Sequence, residues 1–257
     1  MIKEFKRLLG CFSYFTRIPV WKLVNTSDID MKETIKYFPL VGAFVGTFIA
    51  LVIYSCSLFL PKEFSILLGM ALTLMLTGAI HEDGFADVCD GFGAGYTKDR
   101  ILDIMKDSST GVFGGAGLMM ILALRFFAIF YLPIELLVPS LIAGNSISRW
   151  CSISFLFTHN YARKEETSKS TVFVKKTTWG EFILMTFFAL LSFLLFPIHI
   201  LPFALLLIIP IFLFKTLLGV YFKSKIGGYT GDCMGATQQM AEILFYLGIF
   251  IITKHIL

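Results

Sequence analysis

Between residues 82 and 107 the chain concentrates acid. The run His81-Glu82-Asp83-Gly84-Phe85-Ala86-Asp87-Val88-Cys89-Asp90 spaces Asp83, Asp87 and Asp90 at i, i+4 and i+7. One helical face therefore carries all three. Carboxylates that close repel one another unless a cation sits between them. An oxygen-only donor set favours Mg²⁺, Mn²⁺ or Ca²⁺ over zinc. Gly91, Gly93 and Gly95 are expected to break this helix. Thr97 is expected to cap a second one, with Asp99 favourable in its first turn. That helix would carry Asp99, Asp103 and Asp107 at i, i+4 and i+8. Two acidic faces across a glycine-rich turn could hold one or two divalent ions, a common device in phosphoryl transfer. A merely solvated loop would scatter its charge, whereas here seven acids stand against three bases.

A second candidate element is Gly227-Gly228-Tyr229-Thr230-Gly231-Asp232-Cys233-Met234-Gly235-Ala236. Backbone amides of a glycine-rich turn before a helix can cradle a phosphate, although the GK[ST] element of a P-loop is missing. A plain connector with a helix start near Asp232 is the alternative. Polar residues inside apolar runs add further candidates. Arg149, after Asn145, Ser146 and Ser148, could pair with an acid or hold a phosphate bidentately. Arg125 reads as a structural ion pair or a snorkelling side chain, and Lys215 as a snorkelling one. His81 could bind substrate or simply cap a span.

The elements that position these residues are membrane helices. Of 257 residues 56% are hydrophobic and 16% charged, with a mean hydropathy of +0.79. A soluble domain has about 25% charged residues. The 28 Phe, 9 Tyr and 3 Trp exclude a disordered chain. No basic, aromatic-interleaved patch points to nucleic acid. Five scattered cysteines without a CxxC read as buried thiols rather than disulfides or a zinc site. Apolar runs at about 37–60, 64–80, 113–132, 136–157, 181–198, 201–218 and 240–253 predict an all-α, polytopic membrane protein of about seven spans, with a range of six to eight. It is read as one membrane-embedded domain, 1–257. Its 81–112 stretch forms the acidic segment, and 1–36 an N-terminal amphipathic one. In the latter, Ile2, Phe5, Leu8, Leu9, Phe12 and Phe15 share a helical face. That helix would lie on an anionic bilayer surface or pack on the protein itself. Arg17 and Pro19 interrupt anything resembling a signal peptide.

Seven spans would leave 17 of the 22 Lys and Arg on one side and only Lys62 and Lys254 on the other. By the positive-inside rule the rich side, with the N-terminus, is cytoplasmic. Apart from Glu63 and Glu135, the acids are expected on that side or at its edge. Chemistry should therefore face the cytoplasm.

Ordered motifs then carry a resemblance. These are Phe15-Thr-Arg-Ile-Pro19, Tyr37-Phe-Pro-Leu-Val-Gly42, the His81 run through Gly93, Ile104-Met-Lys-Asp-Ser-x-x-Gly111 and Gly228-Tyr-Thr-Gly-Asp-x-x-Gly-Ala236. Together, from about residue 12 to 242, they resemble the cobalamin synthase family, the adenosylcobinamide-GDP ribazoletransferases. The resemblance implies an inner-membrane transferase of late cobalamin biosynthesis that uses Mg²⁺. It would join adenosylcobinamide-GDP to α-ribazole or its 5′-phosphate and release GMP. On that reading Asp83, Asp87, Asp90 and Asp107 hold the metal. Asp107 or Asp103 accepts the proton. Lys106 and Arg149 steady phosphate oxygens, and His81, Ser108, Thr230, Gly231 and Asp232 contact substrate. The partners are the two substrates and the lipid bilayer, and a homo-oligomer is left open. A looser similarity, Asp87-Val-Cys-Asp90-Gly91 with Asp103-x3-Asp107, connects to CDP-alcohol phosphotransferases, but Gly95 stands where they carry Arg. A transporter is the rival from another class. Transporters place their acids near the midplane of repeated halves, whereas these crowd one surface.

Overall fold

The structure is a computed structural model that describes residues 2–22, 31–163 and 178–256. Lys164, Lys169, Lys175 and Lys176, which enter the charge count above, lie outside those residues. Its helices are α1 (Ile2–Phe15), α2 (Phe38–Ser57), α3 (Lys62–Thr77), α4 (Ile80–Ala94), α5 (Lys98–Ile104), α6 (Val112–Phe130), α7 (Ile134–Ile153), α8 (Phe155–Thr158), α9 (Trp179–Leu191), α10 (Leu201–Leu206), α11 (Ile208–Ile226) and α12 (Gly231–Ile256). Among the described residues extended pairing is limited to one bridge, Tyr161 to Tyr229. The protein is all-α and multi-pass.

By length and composition, four helical segments can cross a membrane: Ile35–Ser57, Val112–Phe130, Leu201–Ile226 and Gly231–His255. A fifth is α3 with α4, bent by 90°. The bend sits where Gly78 and Ala79 both have left-handed backbone, φ 68° and 56°. Gly78 takes that conformation freely, Ala79 only at a cost. Two of the seven expected segments fall short of the apolar standard for a physical reason. The 136–157 segment forms α7, about 30 Å long. It is buried from Leu136 to Ile153 except at Val138. Shielded by α2 and α12, it carries Asn145, Ser148 and Arg149 where a lipid-facing helix could not. The 181–198 segment forms the 13-residue α9 and a short 3₁₀ turn.

Glycine sets how closely the central helices pack. A Cβ at Gly42 or Gly46 would collide with the α7 backbone at Asn145 or Leu141, so α2 and α7 meet through a small-x3-small seam. α1 packs on the protein. Phe15 lies 4.1 Å centroid to centroid from Phe38, Phe12 lies 5.1 Å from Phe44, and Cys11 is buried. Glu4 accepts from Tyr37 Oη at 2.6 Å and pairs with Lys36 and Arg7, which also pairs with Glu33. Of the two readings of this helix, the structure supplies the contacts of the second. Lys215 does not snorkel. It is buried, donating to Thr158 Oγ1 at 2.6 Å with Nζ 4.5 Å from the Phe155 ring centroid.

At the core four helices share one polar network. Arg125 of α6 pairs with Glu242 of α12 at 2.8 Å and with Glu82 of α4 at 3.4 Å. Gln239 donates to Glu82 at 2.8 Å, while Gln238 and Tyr246 donate to Glu242 at 2.8 and 2.9 Å. Asn145 of α7 reaches Glu242 at 3.3 Å and accepts from Arg149 Nη1 at 2.9 Å. Two arginines balance two carboxylates. Arg125 is thus the ion-paired residue its position suggested. Glu242, expected at the cytoplasmic edge with the other acids, is instead buried inside α12. A third buried carboxylate has a different task. Asp90 accepts from the N–H groups of Gly111 at 2.7 Å and Gly114 at 2.8 Å. It therefore caps the N-terminus of α6 from a neighbouring helix, where a negative charge is favoured.

Two outcomes are expected in thermal unfolding of the detergent-purified protein. Arg125→Met strands two buried carboxylates and should cost ~3–5 kcal/mol, with part of it recovered in Arg125→Met/Glu242→Gln. Asp90→Ala orphans two helix-terminal donors and should cost ~1–2 kcal/mol. Asp90→Asn, which keeps one acceptor oxygen, should cost less.

Candidate active site

The acidic face of α4 survives folding but its glycines act differently from expectation. Gly91 and Gly93 do not break the helix, which runs to Ala94. They are small because neighbours press on them. A Cβ at Gly91 would lie 2.5 Å from Met105 Cγ, and one at Gly93 2.6 Å from the Phe113 ring. Thr97 caps α5 as predicted, accepting from Arg100 N at 3.3 Å. α5 ends at Ile104, however. Asp107 therefore leaves the expected i, i+4, i+8 face and sits in the following loop. There it accepts from Ser109 N at 3.0 Å and Ser109 Oγ at 2.8 Å. Those two donors hold its carboxyl below the usual carboxylate range.

The close approach of α4 to α12 is what gathers charge. A Cβ on Gly84 would lie 3.0 Å from Asp232 Cα, and one on Gly235 3.2 Å from His81 O. This contact brings Asp83 and Asp87 beside Asp232. Asp87 lies within electrostatic reach of Asp83, Asp90, Asp232 and Arg163. Asp232 pairs with Arg163 Nη2 at 3.1 Å and accepts from Thr230 Oγ1 at 3.2 Å. Thr230 Oγ1 in turn accepts from Cys233 N at 3.3 Å, in the first turn of α12. The rest of the glycine-rich segment is bound to the chain after α8. Tyr229 N donates to Asn160 O at 3.1 Å, Ala162 N to Tyr229 O at 2.8 Å, and a Cβ on Gly228 would strike Asn160 O. That pairing delivers Arg163, a residue whose role no local sequence signal marks.

Three clefts surround this seam. One, of about 140 Å³, is lined by His81, Asp83, Gly231 and Asp232 together with aromatic and aliphatic side chains. Another, of about 320 Å³, is lined by Lys98, Asp99, Asp103, Lys106 and Arg163. The third, of about 410 Å³, holds Asp90, Arg100, Asp103, Asp107 and Ser109. Asp103 lines both of the larger two. Ser108 is exposed nearby. Arg149 lies deeper. It is buried, bonded through Nη1 to Asn145 O and Oδ1 at 2.9 Å, and among the described residues it pairs with no carboxylate.

The structure thus divides the four expected metal carboxylates. Asp83 and Asp87 lie within electrostatic reach of Asp232, Asp90 caps α6, and Asp107 lines the third cleft. Among the described residues no three His, Cys, Asp or Glu are gathered as a ready-made coordination group. The donor set at the seam is nonetheless all oxygen. Mg²⁺ binds through one or two carboxylates and keeps waters and substrate phosphates as its other ligands. Asp83, Asp87 and Asp232 fit that chemistry without a closed protein cage.

Comparison with known proteins follows the same line. The family model for cobalamin-5-phosphate synthase matches residues 7–250. A Leptospira interrogans protein named adenosylcobinamide-GDP ribazoletransferase is 38% identical, covering 96% of each chain. Proteins of the same name from Shewanella frigidimarina and Shewanella amazonensis are 36% and 34% identical. They cover 96% and 95% of this chain, and 94% and 95% of their own. No solved structure matches the chain. The acidic α4, its partner α12 and the seam between them are therefore those of a member of the cobalamin-5-phosphate synthase family, to which this chain belongs.

Proposed function

We propose that the protein is a membrane-embedded adenosylcobinamide-GDP ribazoletransferase whose chemistry takes place at the α4–α12 seam. The observation that carries the reading is the placement of Asp83 and Asp87 against Asp232 and Arg163, in a chain whose relatives bear that name over nearly their full length. In the reaction a ribazole hydroxyl oxygen attacks the phosphorus that stays with cobinamide. The bond from that phosphorus to the bridging oxygen of the diphosphate breaks, and GMP leaves with the electron pair.

The residues divide the work by charge and position. Lys98, Lys106 and Arg163 line one cleft and would hold the diphosphate oxygens electrostatically. Asp83, Asp87 and Asp232 would hold Mg²⁺, which when bound neutralises charge on the diphosphate. Asp103, exposed where the two larger clefts meet, accepts the hydroxyl proton. Asp107, which accepts two hydrogen bonds from Ser109, is held below the usual carboxylate range and stays a carboxylate. The distribution of basic residues supports a plasma-membrane protein with this seam on the cytoplasmic side.

The test is GMP release from adenosylcobinamide-GDP, α-ribazole and Mg²⁺ by protein in lipid nanodiscs, with CDP-alcohols as control donors. Asp87→Asn should lower turnover more than ~100-fold while the protein still elutes as a folded species on size exclusion. Full activity in this variant overturns the site assignment. Chelation with EDTA should stop GMP release and added Mg²⁺ should restore it, and activity that survives chelation overturns the metal reading.

A further inference from the structure

The smallest of the three clefts differs from the other two in its walls. It lies between α1, α2, α4, α7 and α12, and Phe15, Phe38 and Met234 are its buried apolar lining. The His81 ring lies nearly parallel to Phe15 (11°, 6.2 Å) and to Phe38 (24°, 5.8 Å). The Arg149 guanidinium stands 5.7 Å from the Phe38 centroid, so a cation backs this aromatic wall. One polar group in the lining has no task of its own. Ser152 is 1% exposed, and its Oγ is buried without a hydrogen-bond partner. A buried hydroxyl left unbonded is costly, and this one belongs to a cleft it could serve. The opposite end of the cleft is polar, with Asp83 exposed and Asp232 half-buried.

These features select a ligand by size and by polarity. A volume of about 140 Å³ compares with the ~150 Å³ cavity that admits benzene. The cleft takes one small planar ring system and excludes a corrin. Guanine presents donors and acceptors along most of its edge, more than Ser152 and His81 at the buried aromatic end of this cleft could pair. A benzimidazole is apolar around its edge except for one unsubstituted ring nitrogen, which only accepts. Resting on the function proposed above, we propose that the cleft between Phe15, Phe38 and Met234 binds the benzimidazole base of the ribazole acceptor, with Ser152 Oγ donating to its free ring nitrogen. This seating directs the attached ribose toward Asp83 and Asp232, beyond which Arg163 opens onto the cleft of Lys98, Asp103 and Lys106, where its hydroxyl would meet the diphosphate.

Steady-state kinetics of the full-length protein in nanodiscs tests this. Ser152→Ala should raise KM for α-ribazole about tenfold, the worth of one buried hydrogen bond, and leave KM for adenosylcobinamide-GDP unmoved. Tyr14→Leu, which thins the half-buried wall of the cleft, should shift the same constant in the same direction. With an indole riboside as acceptor, which lacks the ring nitrogen, wild type and Ser152→Ala should have the same KM. A rise in KM for adenosylcobinamide-GDP alone would assign the cleft to guanine and overturn the proposal. Unchanged constants for both substrates would overturn it too. Saturation-transfer NMR of α-ribazole with wild type and Ser152→Ala separates this proposal from the function it rests on. Absent turnover with intact, Ser152-dependent binding sinks the reaction and keeps the cleft, whereas turnover with binding indifferent to Ser152 does the reverse.

Discussion

Arg125 stands where its charge cannot be hydrated, and the arrangement of the central helices follows from how that charge is met. Its guanidinium lies between Glu82 on α4 and Glu242 on α12. Glutamine donors from α12 and the amide of Asn145 occupy much of the remaining capacity of the two carboxylates. Buried ions of this kind contribute little net stability against an apolar replacement, yet unpairing one is expensive. Their effect is to specify register. α4 can turn Glu82 toward Arg125 in only one rotation about its axis, and that rotation sets where its other acids point.

The neighbouring carboxylates inherit their roles from this constraint. With Glu82 turned inward, Asp83 is exposed and Asp87 comes beside Asp232. Asp90, two turns on, reaches the amides that begin α6. A single 15-residue helix thus carries one acid for the core, two for the seam and one for a helix terminus. Glycines at 84 and 235 make this work by letting α12 approach to backbone contact. No side chain then separates Asp232 from the acids of α4.

Much of this was legible beforehand because it depends on short-range rules. Helical period alone put Asp83, Asp87 and Asp90 on one face, and the Thr97 cap needs only its own first turn. The structure departs from local expectation where a partner distant in sequence decides. Gly91 and Gly93 look like helix breakers until Met105 and Phe113 are seen against them. Asp107 fits a helical spacing, but α5 stops at Ile104. Lys215 has the position of a snorkelling residue but finds Thr158 and an aromatic face instead. α7 fails as an apolar helix because protein rather than lipid surrounds it.

By itself the sequence determined the all-α membrane class, the acidic face of α4 and the family to which the chain belongs. These rest on composition, on period and on ordered motifs, all of which are local properties of a chain. Only the tertiary structure decided that Asp232 and Arg163 join Asp83 and Asp87, that Asp90 is a cap, and that Glu82 and Glu242 share one arginine. Those facts require residues between 21 and 157 positions apart in sequence to meet at side-chain contact. The energies that choose such meetings are burial of charge and exclusion of Cβ atoms, and both exist only once the helices are packed.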